Sequence, residues 1–453
     1  MKKRFTRAPS FRTVRRPPAL EAAGTPADTT EVTTGRDYQL RCCNCAAVFE
    51  DDGVVLDCAH AHAPSLLRTV YQRAFEIDDV PSLLRYGRWL PRGRALATFA
   101  RSSVYQSTEL AAHLGLRSLW IAFSGWWPER GATLETTTFK ELEAYAVLGR
   151  LARDESRTLV ISSAGNTAAA FARAATEIDA PVLIVIPGDA WERLAALVRI
   201  GPSVRIVAVE GGQYEDAIAL ARGLVAEDGY VLEGGVRNVA RRDGMGTAML
   251  AAVEAIGHLP DAYFQGVGSG AGALAAHEAS LRLIADGRYG SRLPRLMLSQ
   301  NAPFTPIHDA WVGRSATLDE RSPLVARDQV RRIAASVLSN VAPPYATTGG
   351  VRDALAESGG TTYAIENAEV RAAMRLFEDR EGMDVEPAAG VTLASLVRAV
   401  RAGDVSPDEH ILVHVTGGGA RRREPVRVEQ RPTLVVERDA QGAFPALTQL
   451  LSA

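Results

Sequence analysis

The sequence is nearly without lysine. Of 51 basic residues only Lys2, Lys3 and Lys140 are lysine, and the rest are arginine. Cysteine is equally scarce: there are four, Cys42, Cys43, Cys45 and Cys58, all in one short segment. That clustering excludes a disulfide framework spread through an extracellular fold and points to a reducing compartment or a metal site. No run of about 18 apolar residues occurs, so no membrane-spanning helix and no membrane partner are expected. Charge of one sign is also missing. The formal net charge is -2, which argues against nucleic acid as a partner. The basic segment from Met1 to Pro18 has no apolar stretch behind it. It does not read as a secretory signal, and a cytoplasmic location is expected.

What is present is a chain of 453 residues, 47% apolar and 23% charged. These values fit a globular protein of two or three domains with a large core. Residues 1–37 carry many Arg, Pro and Thr with little apolar periodicity and read as a flexible arm. A cysteine segment follows at 38–62. From Thr158 onward, apolar runs bounded by turns alternate with helical patterns. Strands are expected at Thr158–Ser162, Pro181–Pro187, Val204–Glu210, Val231–Glu233, Ala262–Gln265, Leu296–Ser299 and Ile411–Val415. Helices are expected around Trp191–Ile200, Tyr214–Ala226, Asp328–Ser339 and Leu393–Arg401. This alternation predicts an α/β fold with mostly parallel sheets flanked by helices. The tail, 426–453, adds one strand at Thr433–Glu437 and a short helix.

The scarcity of lysine singles out Lys140. A high-GC coding bias explains why arginine carries the surface charge. A lysine retained inside the fold is then a candidate for work arginine cannot do, because lysine can lose its proton and form a Schiff base. The alternative is a surface lysine that survived by chance. Thr138 and Glu141 have the spacing of a capping box, and Leu142, Tyr145, Leu148 and Leu151 recur at helical spacing. Lys140 therefore falls in a first helical turn, near the positive end of the dipole. A structural cation is poorly placed there, and the neutral, nucleophilic amine is favoured.

Three loops of small residues follow strands. The first, Ser163-Ala164-Gly165-Asn166-Thr167, offers backbone donors and hydroxyls to a carboxylate at a helix start, or is an ordinary turn. The second is Gly266-Val267-Gly268-Ser269-Gly270, whose amides can converge on a phosphate. A dinucleotide site is the rival. However, Ala271 interrupts the G-x-G-x-x-G pattern, and the next strand lacks the acid that would bind ribose. The third is Thr416-Gly417-Gly418-Gly419, with a hydroxyl suited to a ring nitrogen. All three lie at expected carboxyl ends of strands, where open α/β sheets bind ligands.

The order of these motifs resembles the tryptophan-synthase-like, fold type II pyridoxal-phosphate enzymes, over roughly residues 101–421. Within them the sequence is most similar to the threonine synthases and cysteate synthases. The resemblance rests on Gly125-Trp126-Trp127-Pro128-Glu129-Arg130-Gly131-Ala132, the run at Lys140, the SSAGNT loop, and Arg237-Asn238 with Arg241 to Thr247. It rests also on Glu381-Gly382-Met383 and Glu386-Pro387-Ala388. It implies pyridoxal phosphate in a cleft between two α/β domains, the smaller at 151–260 and the larger at 63–150 and 261–425. Lys140 would form the Schiff base, Asn166 would meet the phenolic oxygen, and Gly266 to Gly270 would hold the phosphate. Thr416 would face the pyridine nitrogen. Ser163, Ala164, Gly165 and Thr167 would bind the substrate carboxylate, with Arg237, Arg241 and Arg242 as candidates for further anionic groups. The implied reaction is β-replacement on O-phosphoserine by sulfite, in a homodimer or higher homo-oligomer. The alternative is another elimination and replacement on a phosphorylated amino acid with a small nucleophile.

Two departures stand out. Threonine synthases carry Ser-Phe-Lys-Asp where this chain has Thr138-Phe139-Lys140-Glu141. The cysteine segment has one C-x-x-C knuckle, Cys42 and Cys45, and then Cys58 with His60 and His62. A zinc set of Cys42, Cys45, Cys58 and His60 (or His62) is one reading of that ribbon-like segment, and a degenerate, metal-free knuckle is the other. Two further rivals are a nucleic-acid-binding protein and a nicotinamide-dependent enzyme. The near-neutral charge opposes the first, and the missing ribose-binding acid opposes the second.

Overall fold

The computed structural model describes residues 36–438, apart from Ala164 and Glu227. The expected arm up to residue 35 and the expected helix beyond residue 438 lie outside the described residues.

An antiparallel ribbon comes first, with β1 (Tyr38–Cys42) between β2 (Val48–Phe49) and β3 (Leu67–Tyr71). Then follow β4 (Ser103–Gln106), α1 (Glu109–Leu114), β5 (Ser118–Phe123), the short hairpin of β6 (Trp126–Trp127) and β7 (Ala132–Thr133), and α2 (Lys140–Arg150). The alternating region runs β8 (Thr158–Ser162), α3 (Asn166–Ile178), β9 (Val182–Pro187), α4 (Trp191–Leu197), β10 (Val204–Glu210), α5 (Tyr214–Leu224), β11 (Tyr230–Leu232) and α6 (Val239–Ile256). After it come β12 (Ala262–Gly266), α7 (Ala271–Asp286), β13 (Arg295–Asn301), α8 (Pro306–Val312), α9 (Pro323–Arg332) and α10 (Val351–Glu357). The last elements are β14 (Thr361–Ile365), α11 (Asn367–Glu381), α12 (Pro387–Ala402), β15 (His410–Val415) and β16 (Leu434–Glu437).

These strands form two large sheets. One has the order β11-β8-β9-β10-β16 and is parallel throughout. The other has the order β14-β13-β12-β15-β5-β4, parallel except for β4 at its edge. Every residue of β9, Val-Leu-Ile-Val-Ile-Pro, is buried, as expected of a parallel strand covered by helices on both faces. Each sheet has its own apolar core. Leu159, Ile184, Phe171, Leu142 and Leu148 gather in one, and Phe123, Phe264, Phe377, Leu396 and Val413 in the other.

Two expected helices differ in extent. The one over Asp328–Ser339 ends at Arg332, and only a single 3-10 turn, Ser336–Leu338, follows. Side-chain acceptors break it: Asn367 Oδ1 takes the N–H of Ala334 at 2.8 Å, and Asn301 Oδ1 takes that of Ala335 at 2.9 Å. The helix expected from Leu393 begins six residues earlier, with Pro387 at its first position, where a missing N–H costs nothing.

The ribbon is fastened to the rest by a buried ion pair. Arg150 donates to both oxygens of Asp51 at 2.8 and 2.7 Å, to Asn238 Oδ1 at 3.0 Å and to the carbonyl of Val55 at 2.7 Å. Neither partner's side chain is exposed. Removing the cation takes the two closest charge-assisted bonds from a buried carboxylate and leaves Arg36, 3.8 Å away, as its nearest cation, at a cost of about 3 kcal/mol. Arg150→Met is therefore expected to lower the urea midpoint by that margin with an unchanged slope. A loss under about 1 kcal/mol would show that water reaches Asp51.

Candidate active site

Lys140 opens α2, and its helix packs in the core of the five-stranded sheet. The turn before it is stitched to the other sheet. Phe139 donates its N–H to the carbonyl of Thr416 at 3.0 Å, and Gly418 donates to the carbonyl of Thr137 at 3.0 Å. Lys140 thus stands where the two sheets meet. The capping box expected of Thr138 and Glu141 does not form. The Glu141 carboxylate reaches back to the N–H of Thr136, and the buried hydroxyl of Thr138 has no partner among the described residues.

The Lys140 amine lies 3.0 Å from Glu143 Oε2, one helical turn on. Burial lowers its pKa, and Arg241 adds to that, while Glu143 and Glu233 work the other way. Glu143 is itself fully buried, and its other oxygen accepts from Thr167 Oγ1 at 3.0 Å and forms an ion pair with Arg241 at 2.9 Å.

The loops converge on this amine. Asn166, first residue of α3, donates to Glu386 Oε2 at 3.0 Å, and Glu386 donates its N–H to the carbonyl of Gly417 at 3.0 Å. A Cβ at Gly417 would lie 3.1 Å from the Glu386 carboxyl carbon. Burial raises the pKa of Glu386 against the opposing effect of Asn166 and Arg193. Ser163 is buried, and its hydroxyl accepts from Gly165 at 3.3 Å. Ala164 is outside the described residues.

The second loop joins β12 to α7. Gly266 donates to Thr392 Oγ1 at 2.7 Å, and Val267 to the carbonyl of Ser299 at 2.8 Å. Gly270 has φ +78°, and a Cβ there would lie 2.4 Å from Val351. A Cβ at Gly268 would meet the Leu338 backbone at 3.0 Å, and one at Gly272 would strike Gln265 at 2.3 Å. Only glycine lets the turn lie this close to its neighbours. The amides of Gly268, Ser269 and Gly270 have no acceptor among the described residues. Beneath the site, His414 is held by Ser124 Oγ and Tyr263 OH, each at 2.8 Å, and burial pushes its pKa down to about 3.

The arginines read as anion ligands are engaged elsewhere. Arg241 pairs with Glu233 through two bonds, at 2.8 and 2.6 Å, besides Glu143. Arg242 is fully buried against Glu278 at 2.9 Å and the carbonyls of Val236 and Leu67. Arg237 pairs on the surface with Asp57 at 2.6 Å. The arginine that does face the site is Arg193 of α4, which donates to Asn166 Oδ1 at 3.1 Å and is paired with no carboxylate among the described residues. Sequence reasoning does not reach Glu143, Glu386 or Arg193. Glu143 left a signal in its three-residue spacing from Lys140, and Glu386 stood in the segment Glu386-Pro387-Ala388 without a role assigned to it.

In the ribbon, one donor atom each from Cys42, Cys45, Cys58 and His62 lie within 4.8 Å of one another. Of the two histidines read from the sequence as the fourth ligand, His60 stands outside this group, with Nδ1 3.5 Å from Cys45 Sγ. His62 is placed inward by its Nδ1 contact of 2.7 Å to the Ala63 carbonyl, which leaves Nε2 3.3 Å from Cys42 Sγ.

The profile of the family described as "Pyridoxal-phosphate dependent enzyme" matches residues 106–417, which contain Lys140, the first two loops and the start of the third. The chain belongs to this family. The enzyme is 48% identical to the cysteate synthase of Methanoculleus marisnigri over 387 residues, 85% of this chain and 89% of that one. It is 42% identical to the cysteate synthase of Methanosarcina acetivorans over 388 residues, 85% and 92% of the two chains. Among solved structures, maize serine racemase superposes with a TM-score of 0.54 at 18% identity, over 71% of this chain and 90% of that one. The threonine deaminase isoform 2 of Solanum lycopersicum gives 0.53 at 17%, over 70% and 84%. At such identities these last two speak for the fold alone.

The residues present fit pyridoxal phosphate. The enzyme has one described lysine, half-buried and with its charge disfavoured, in a turn bonded to Thr416, together with an orphaned buried hydroxyl at Thr138 and three unclaimed amides in the loop after β12. Lys140→Arg keeps charge and bulk but cannot form an imine. With the cofactor added, this variant is expected to lose the visible absorbance of lysine-bound cofactor. Borohydride reduction of the parent enzyme should label the Lys140 peptide, and a label elsewhere would overturn the assignment.

Proposed function

We propose that the enzyme carries out β-replacement on O-phospho-L-serine with sulfite, giving L-cysteate and phosphate. The observation that carries this reading is the gathering of an amine, a phosphate-sized glycine cup and an unpaired arginine in a chain similar to cysteate synthases throughout that region. Pyridoxal phosphate supplies an electron sink for the bonds at the substrate α-carbon. Gly266, Val267, Gly268, Ser269 and Gly270 hold its phosphate on the N-terminus of α7. Asn166 and Thr416 orient its ring, the latter through a hydroxyl that leaves the ring nitrogen without a full proton. Ser163, Gly165 and the start of α3 receive the substrate carboxylate.

Lys140 takes the α-proton as general base. The Cβ–O bond to phosphate breaks, a Cβ–S bond to sulfite forms, and Lys140 returns the proton to the α-carbon. Two anions therefore pass through the cleft. Arg193 is the guanidinium free to pair with one of them, since Arg241 and Arg242 are already neutralised by buried carboxylates. Purified enzyme supplied with the cofactor, phosphoserine and sulfite should release phosphate and cysteate in equal amounts. Threonine from phosphohomoserine with no cysteate would overturn the reading. Arg193→Ala is expected to raise the KM of one anionic substrate by about tenfold, the worth of a charge-assisted hydrogen bond, with a smaller change in kcat.

We also propose that Cys42, Cys45, Cys58 and His62 hold a structural zinc ion. Three thiolates and one imidazole within bonding reach suit tetrahedral zinc. Metal analysis should find about one zinc per chain, reduced in Cys58→Ser and unchanged in His60→Ala. Metal-free protein of unchanged melting temperature would refute it.

A further inference from the structure

We propose that Glu143 is a positioning residue that receives the ammonium of Lys140 whenever that amine is free of the cofactor, and so holds the α-proton that Lys140 removes from the substrate. The proposal rests on the reading of Lys140 as the cofactor lysine.

The geometry is built for one occupant. Lys140 and Glu143 share a helical turn, so the amine always returns to the same carboxylate. Glu143 cannot swing away, because Arg241 and Thr167 clamp its Oε1 and leave Oε2 to the lysine. Arg241 stays beside Glu143 when Lys140 leaves.

The charges give the pair a direction. The groups that face Glu143 are Lys140 on its own helix, Arg241 of α6, Glu233 after β11, Tyr214 of α5 and Thr167 of α3. Burial raises the pKa of Tyr214, so it is neutral. Two carboxylates, Glu143 and Glu233, then share one guanidinium, and the cluster is short of one positive charge until the Lys140 amine is protonated. Among these largely buried carboxylates and the Arg241 guanidinium that deficit acts strongly. As the substrate C–H bond breaks, its electron pair stays with the substrate and the proton forms a fourth bond on Lys140 nitrogen. The new ammonium appears 3.0 Å from Oε2 and restores neutrality. When Lys140 returns the proton to the α-carbon, the cycle closes without any oxidant or further reactant.

Glu143→Gln keeps the side-chain shape and removes the charge. Two readouts should then move in opposite senses. The carboxylate opposes the lowering of the Lys140 pKa, so its loss lowers that pKa further and leaves more neutral amine at a given pH. Competitive acetylation of the full chain freed of cofactor, read on the Lys140 peptide, should rise by about tenfold at neutral pH. Its pH midpoint should move downward. In the loaded enzyme kcat should fall by about tenfold or more, with the phosphoserine KM changed less than about threefold. A purely structural role would not make the amine more reactive while slowing turnover. Should Glu143→Gln fail to fold, Glu143→Asp is read in the same assays, with shifts of the same sign and smaller size. An unchanged acetylation midpoint in a folded variant would overturn the proposal. A loaded parent enzyme whose borohydride label falls outside Lys140 would instead overturn the cofactor reading, with the acetylation result still interpretable.

Discussion

Two backbone hydrogen bonds, Phe139 N–H to the Thr416 carbonyl and Gly418 N–H to the Thr137 carbonyl, hold the lysine-bearing turn against the end of β15. The helix that follows packs with α3 and the five-stranded sheet. A single turn therefore belongs to one sheet by its backbone and to the other by its side chains. Lys140 sits at that exchange, and the loops after β8, β12 and β15 can meet around it only because the turn spans the junction. Glu386 extends the seam, with its backbone on Gly417 and its carboxylate on Asn166. Loss of either sheet's grip would separate the amine from Thr416 before it disturbed any single loop.

Arginine and lysine divide the electrostatic work by whether a proton must move. Arg150, Arg242 and Arg241 are buried and permanently charged, each facing carboxylates. A guanidinium suits that task because it stays protonated and satisfies several acceptors at once. A lysine in those places would lose charge on burial and leave the acids unpaired. At position 140 the same tendency is the useful property. The lysine-poor composition is thus not only a coding bias. It leaves one described site where a cation can be switched off, surrounded by cations that cannot.

The parallel strands were legible because their signal is local. β8 and β10 run over the residues expected, and β9 differs by one at its start. The Lys140 helix and the three small-residue loops were legible for the same reason, since helical apolar spacing and glycines leave marks in a short window, although the capping box read there does not form. The roles of Arg241 and Arg242 were not. An arginine that binds an anion and one that neutralises a buried carboxylate look alike until the partner is known, and Glu233 and Glu278 are identified only by the packing of α6. The break after α9 was hidden likewise, because the acceptors that capture the backbone, Asn301 and Asn367, come from distant strands and helices. His60 and His62 were equivalent by spacing. The Ala63 carbonyl separates them by fixing which ring turns inward.

The ribbon is more than an appendage, because its strands continue into the same charge cluster. The Leu67 carbonyl on β3 accepts from Arg242, and Thr69 and Tyr71 donate to Asp243 at 2.7 and 2.6 Å. Asp51 holds Arg150, which also binds Asn238, the residue that caps α6. The first turn of α6 is therefore fixed from the ribbon side, and Arg241 lies in that turn. Through Arg241 the ribbon sets where Glu143 points, and through Glu143 it sets where the amine rests. A cluster of thiols at one end of β1 and a lysine at the start of α2 are thus joined through a chain of buried, paired charges. That linkage ties the ribbon to the helix that carries Lys140.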